Sequence, residues 1–140
     1  MAIGSPARSP VKLTIMVVDS PGASARLKQF LETNGYRVME ASTVENAIEE
    51  AGDFTGRARP DLILMKYDPM ARDQTPAVRL LREGAGLPDV PVLAISDHDG
   101  PDHRGAAIAA GYSEYLAEPI SFAELKNHLR SFLPERRAPT

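Results

Sequence analysis

The sequence predicts an α/β protein: a doubly wound parallel sheet with helices on both faces. Three observations carry that prediction. Apolar runs, too short for helices and broken only by Thr14, stand at residues 13–18, 62–65 and 92–95, as strands covered on both faces require. Helix-start signals and amphipathic stripes fill the stretches between them. Five strands and five helices alternate along the chain, a pattern that joins parallel strands through right-handed crossovers.

The elements follow in order. Leu13-Thr14-Ile15-Met16-Val17-Val18 reads as a buried strand ending at Asp19. Ser20-Pro21 offers an N-cap with proline at the first helical position, and Leu27, Phe30 and Leu31 fall at i, i+3, i+4 on one helical face. Asn34-Gly35 tolerates left-handed geometry and stops that helix. Residues 36–41 alternate enough for a second, more peripheral strand. Ser42-Thr43-Val44-Glu45 reads as a capping box opening a helix with Ala47, Ile48 and Ala51 inward. Residues 52–60 form a polar loop, long for such a connection. Pro60-Asp61 then leads into Leu62-Ile63-Leu64-Met65, which ends abruptly in charge at Lys66. In an open parallel sheet the carboxyl end of a central strand is where ligands and chemistry sit, so Lys66 holds the most informative position.

Thr75-Pro76 caps and starts a third helix carrying Val78, Leu80 and Leu81, closed near Gly84-Ala85-Gly86. Pro91-Val92-Leu93-Ala94-Ile95 is a fourth strand ending at Ser96. The polar loop Asp97-His98-Asp99-Gly100-Pro101 leads to an Ala-rich helix, capped near Asp102 and stopped at Gly111. Tyr115-Leu116-Ala117 is a short fifth strand ending at Glu118-Pro119. Ser121 and Glu124 frame another capping box, and Phe122, Leu125, Leu129, Phe132 and Leu133 make the inner stripe of the last helix.

The 140 residues suffice for one domain with a real core. Residues 11–134 read as that domain, residues 1–10 as a flexible tail, and residues 135–140 as a charged tail or linker. A formal net charge of −3 argues against nucleic acid as the main partner. The absence of cysteine removes disulfides, thiolate nucleophiles and Cys-based metal sites. No apolar run approaches the ~20 residues of a membrane span, and residues 1–10 lack the apolar block of a signal peptide, so a cytoplasmic protein is expected.

Taken together and in this spacing, Val17-Val18-Asp19, Pro60-Asp61-Leu62-Ile63-Leu64-Met65, Val92-Leu93-Ala94-Ile95-Ser96, Ala109-Ala110-Gly111 and Tyr115-Leu116-Ala117-Glu118-Pro119-Ile120 resemble a response-regulator receiver domain of two-component signalling. The resemblance covers roughly residues 12–134 and implies a flavodoxin-like (βα)5 fold with strand order 2-1-3-4-5. It also implies a site. In the family, an acidic pair after the first strand helps bind Mg²⁺. An Asp after the third strand accepts phosphate from a histidine kinase. A Thr or Ser after the fourth strand and a Lys after the fifth contact the phosphoryl group. An aromatic on the fifth strand changes rotamer with activation. By position, Asp19 and Ser20 stand at the acidic pair and Lys66 at the phosphoacceptor. Ser96 stands at the hydroxyl, Glu118 at the lysine and Tyr115 at the switch aromatic. The family's Met-Pro after the acceptor is inverted to Pro69-Met70, and the glycine that follows is Gln74.

These departures point to an atypical receiver that has lost phosphoryl chemistry. Aspartyl phosphorylation needs a carboxylate nucleophile, a divalent cation and a cationic clamp. Lysine supplies no carboxylate and repels Mg²⁺, leaving Asp19 as the one obvious carboxylate ligand. No cofactor and no metal are therefore expected, and no catalytic residue. The exchange conserves charge, so Lys66 is expected to bridge Asp19 and Glu118. A catalytic amine at Lys66 is disfavoured, because neighbouring carboxylates raise its pKa. Asp68 reads as a loop-tip acid rather than a relocated acceptor. Asp97, His98, Asp99, Asp102 and His103 meet no metal-ligand spacing and read as a solvated loop. Ser96 has no activating base and reads as a hydrogen-bonding group in the pocket. A cis peptide is expected before Pro119, where the family's Lys-Pro junction commonly has one.

The expected function is thus a phosphorylation-independent signalling module acting through protein contacts. The resemblance implies partner binding and homodimerisation through the fourth helix, fifth strand and fifth helix. Two other functions remain open: a small-anion or small-ligand sensor using Lys66, and a phosphoaccepting receiver using Asp68 or Asp19. The chain reads either as a stand-alone adaptor or as one domain of a larger protein.

Overall fold

A computed structural model describes residues 13–133 except 21, 52–58, 69–73, 88 and 99. The two expected tails, most of the 52–60 loop, Pro21, the inverted Pro69-Met70 pair and Asp99 lie outside the described residues. Five strands, β1 (Thr14–Val18), β2 (Arg37–Ala41), β3 (Leu62–Lys66), β4 (Val92–Ser96) and β5 (Glu114–Ala117), form one parallel sheet in the order β2-β1-β3-β4-β5. Between and after them run α1 (Ala25–Thr33), α2 (Val44–Ala51), α3 (Gln74–Ala85), α4 (Pro101–Ala110) and α5 (Phe122–Phe132). This is the expected flavodoxin-like doubly wound architecture.

Strand side chains alternate between two cores, which is why the central strands carry no polar face. Met16, Val18, Ile63, Met65 and Ala94 pack with Ala47, Val78, Leu81 and Ala107 of α2, α3 and α4. Ile15, Val17, Leu62, Leu64 and Leu93 pack with Leu27, Leu31, Leu125 and Leu129 of α1 and α5. The Pro60-Asp61 entry sets the sheet's amino edge. Asp61 Oδ2 accepts from the Thr14 N–H at 2.8 Å while the Asp61 N–H donates to the Thr14 carbonyl at 2.7 Å.

The helix starts differ from the sequence reading. α1 begins at Ala25 with Ser24 as N-cap, not at Pro21. Gly22, at φ 81°, stands in left-handed geometry that a right-handed helix cannot contain. At α2 the box sits one residue later: Thr43 Oγ1 accepts from Asn46 N–H at 3.0 Å, and Asn46 Oδ1 accepts from Ser42 N–H at 3.3 Å. α3 begins at Gln74, so Thr75 and Pro76 lie inside its first turn. The α4 N-cap is Gly100, at φ 133°, with Pro101 at the first helical position; Asp102 lies inside the first turn instead of capping it. On α3, Val78 and Leu81 are buried but Leu80 is 51% exposed. Ser121 caps α5 as expected, its hydroxyl accepting from Glu124 N–H at 3.2 Å. Phe122 lies at the rim of that helix's inner stripe, stacked on Phe30 with centroids 4.3 Å apart.

Candidate functional site

The topology brings the strand ends to one edge. Asp19 follows β1, Lys66 closes β3, Ser96 closes β4 and Glu118 follows β5. The ladder runs one residue past the strands, with Tyr67 N–H donating to the Ile95 carbonyl at 2.7 Å and Glu118 N–H to the Ser96 carbonyl at 2.7 Å. This extension aligns Lys66 and Glu118 on either side of β4.

Lys66 Nζ lies 2.6 Å from Glu118 Oε1, with each side chain about one-third exposed. Burial alone would lower the Lys66 pKa. The hydrogen bond and charge of Glu118, joined by the fields of Asp97 and Asp19, outweigh it and raise the pKa above 10.5. The expected bridge therefore forms on one side. The Asp19 carboxylate instead turns to its neighbour, accepting from Ser20 N–H at 2.7 Å, and acts on Lys66 only through its field. The Glu118–Pro119 peptide bond is cis.

Ser96 is fully buried, and its Oγ accepts from His98 N–H at 3.1 Å. Tyr115 is turned inward and its hydroxyl donates to the His98 carbonyl. The backbone of His98 is thereby held on both sides. Two aromatics that the sequence reading passed over complete this corner. Tyr67 meets Tyr112 and Tyr115 edge-on, at 5.1 and 6.0 Å. Their signal was a tyrosine directly after a strand-end charge and a second one beside Gly111. Burial raises the Tyr112 phenol pKa strongly and that of Tyr67 less. The Tyr112 hydroxyl points at Met65 Sδ, 3.3 Å away.

In the acidic loop, His98 Nε2 lies 3.4 Å from Asp97 and 3.8 Å from Asp68, and the His98 and His103 rings meet at 5.7 Å. Among the described residues no group of three His or acidic side chains is arranged to hold a metal.

Beside the strand-end edge, a cleft of about 380 Å³ opens between the start of α1 and the β5–α5 turn. Ser24, Arg26 and Leu27 line one side, and Pro119, Ile120 and Phe122 the other. The sequence reading did not single out Ser24 or Arg26.

The family description "Response regulator receiver domain" matches residues 15–130. The chain belongs to the response regulator receiver domain family. Among curated proteins, this receiver is 32% identical over 127 residues to the KDP operon transcriptional regulatory protein KdpE of Escherichia coli, covering 90% of this chain and 53% of that protein. It is 30% identical over 122 residues to the transcriptional regulatory protein PrrA of Mycobacterium tuberculosis, covering 87% and 50%. The chain thus spans about half the length of the curated relatives it matches. Among solved structures, the receiver domain of sensor histidine kinase PA1611 from Pseudomonas aeruginosa, which has a magnesium ion coordinated in its active site cleft, aligns with TM-score 0.66 at 26% identity, covering 87% and 98%. Vibrio cholerae chemotaxis protein CheY4 aligns with TM-score 0.73 at 22% identity, covering 88% and 100%, and shares the fold. No described helix is long and apolar enough to cross a membrane.

Proposed function

We propose that this receiver works without aspartyl phosphorylation, as a pseudo-receiver that signals through protein–protein contact. The observation that carries the reading is the occupant of the β3 carboxyl end: Lys66, bonded to Glu118 at 2.6 Å. A receiver phosphorylated on β3 needs a carboxylate nucleophile there, and an amine paired to a glutamate is not one. The donors at this edge also fit Mg²⁺ poorly. Ser20 replaces an acid, which leaves Asp19 as the one carboxylate after β1, with one oxygen already accepting from Ser20 N–H, and the Lys66 ammonium would face the ion. The clamp of Ser96 and Tyr115 on the His98 backbone supports a β4–α4 loop that needs no phosphate to hold it.

The pair also bears on the alternatives. An anion sensed by Lys66 would have to displace a carboxylate already 2.6 Å away. Asp68 and Asp19 are left as the carboxylates that a non-standard phosphoacceptor would use. The partner proposed is a protein, whether a kinase, another signalling protein or an output domain, met in the cytoplasm. The α4–β5–α5 face is the proposed contact and the route to a homodimer. Neither nucleic acid nor membrane is a proposed partner of these residues.

Acetyl phosphate with Mg²⁺, read by intact mass, and beryllofluoride with Mg²⁺, read by amide NMR, test the reading. No added phosphoryl mass and no shifts at Lys66, Ser96 and Tyr115 are expected. A gain of one phosphoryl group that disappears in Asp68→Asn or Asp19→Asn would overturn it.

A further inference from the structure

We infer that the cleft between α1 and the β5–α5 turn binds a small carboxylic acid with an apolar body. The carboxylate would be held by the Ser24 hydroxyl, the Arg26 guanidinium and the first-turn N–H groups of α1. This inference does not rest on the loss of phosphorylation, because neither Ser24 nor Arg26 belongs to the Lys66 edge.

Four observations converge. Ser24 is only 8% exposed, yet as the N-cap of α1 its hydroxyl makes no capping bond and has no other partner among the described residues. A buried hydroxyl left unpaired is costly, and a ligand oxygen would remove that cost. The nine-residue α1 carries no acidic residue in its first turn, so its positive dipole end is uncompensated from within the helix. Its backbone bonding starts with Lys28 N–H to the Ser24 carbonyl at 2.8 Å, which leaves the preceding first-turn N–H groups without a helical acceptor. Arg26 lines the same cleft and has no ion pair or hydrogen bond among the described residues. Lys66 and Glu118 also line it, but they satisfy each other.

Asp19 lines the cleft too, on the Lys66 side, with one carboxylate oxygen accepting from Ser20 N–H; the rest of the cleft is apolar. Leu27, Leu64, Ile95, Ile120 and Phe122 face it, and its volume of about 380 Å³ lies in the range of small-molecule sites. A bare inorganic anion would leave those surfaces wet. An aromatic or medium-chain carboxylate meets both halves: Arg26 suits a planar carboxylate by its two-pronged donor geometry, and the hydrocarbon covers the walls.

The test uses the full chain and defined probes. Benzoate, phenylacetate and octanoate are titrated to millimolar concentration against amide NMR and thermal shift, with benzamide, phenylacetamide, octanamide and acetate as controls. The expected result is saturable shifts at Ser24, Arg26, Leu27 and Ile120 for at least one acid. Its amide and acetate should bind at least about tenfold more weakly, and Arg26→Gln should weaken the acid by a similar factor, the loss of one charge-assisted contact. Ser24→Ala should weaken it as well. Arg26 is exposed, so Arg26→Gln leaves the fold intact, which its thermal unfolding checks. The inference is overturned if none of the acids shifts these amides, if acid and amide bind alike, or if folded Arg26→Gln binds the acid unchanged.

Discussion

Lys66 and Glu118 join across a strand that belongs to neither. Lys66 closes β3, Glu118 follows β5, and their 2.6 Å contact passes over the carboxyl end of β4, where Ser96 is buried. The pair ties the two outer members of a three-strand group at the edge where receivers carry their site. With both side chains about one-third exposed, solvent screens the pair strongly. A double-mutant cycle of Lys66→Ala and Glu118→Ala, read by urea unfolding, should give a coupling of about 1 kcal/mol or less, favourable in sign. A coupling indistinguishable from zero would reduce the pair to two unrelated surface charges.

The raised Lys66 pKa gives this contribution a pH window. A group that holds its proton more tightly when folded stabilises the fold fully below its ordinary pKa, here 10.5, and loses that contribution as pH climbs through the raised value. The stability difference between the native chain and Glu118→Gln should stay level from neutral pH to near 10.5 and then narrow. Unfolding midpoints at a series of alkaline pH values measure it; a difference that widens there contradicts the sign.

Tyr112 predicts a second alkaline effect that can be separated from the first. Its phenol is buried beside Tyr67 and Met65, so the folded chain keeps the proton after an unfolded tyrosine, with pKa 10.0, has lost it. Stability should therefore fall as pH rises beyond 10.0, and Tyr112→Phe should flatten that fall while leaving the Lys66 effect in place. An equal alkaline slope in both proteins would show that Tyr112 is not its source.

The strands were legible in the sequence because β1, β3 and β4 are covered on both faces, and that burial leaves them apolar except at their ends, at Thr14, Lys66 and Ser96. The strand-end site was legible for the same reason, since Lys66 and Ser96 stand where the apolar runs stop. Helix starts were less so. Ser20 precedes Ser24, Ser42 precedes Thr43, and Gly100 precedes Asp102; each pair offers two competent caps, and backbone geometry chooses between them. Gly22 at φ 81° and Gly100 at φ 133° made two of those choices. The α1 cleft was invisible for a different reason. Its walls come from residues about a hundred positions apart, and the unpaired state of the Ser24 hydroxyl exists only once the chain is folded.

Arg82 holds together a junction that no sequence pattern announces. From α3 its guanidinium donates to the carbonyls of Val90, Leu87 and Gly111, joining the α3–β4 connection to the end of α4. Burial lowers its pKa, though Asp89 opposes that. Arg82→Ala strips a donor from partly buried carbonyls and should cost about 2 kcal/mol in chemical denaturation. Arg82→Lys should recover less than half, because one ammonium cannot reproduce the two-pronged reach.

Gly84 and Ile48 mark a close approach of α2 and α3. A Cβ built on Gly84 would meet Ile48 Cδ1 at 2.9 Å and its Cγ atoms at 3.3 Å. Elsewhere on a helix, Gly→Ala gains up to ~1 kcal/mol by propensity alone. Here the methyl must push α2 outward or force Ile48 from its rotamer, so overpacking opposes the gain. Gly84→Ala should therefore be neutral to mildly destabilising in the native chain. In an Ile48→Ala background, where the obstruction is gone, the same change should stabilise by up to ~1 kcal/mol. The sign reversal between the two backgrounds, measured by urea midpoints, is the decisive quantity. A gain of equal size in both would mean that α2 yields freely and that the contact imposes no constraint on the glycine.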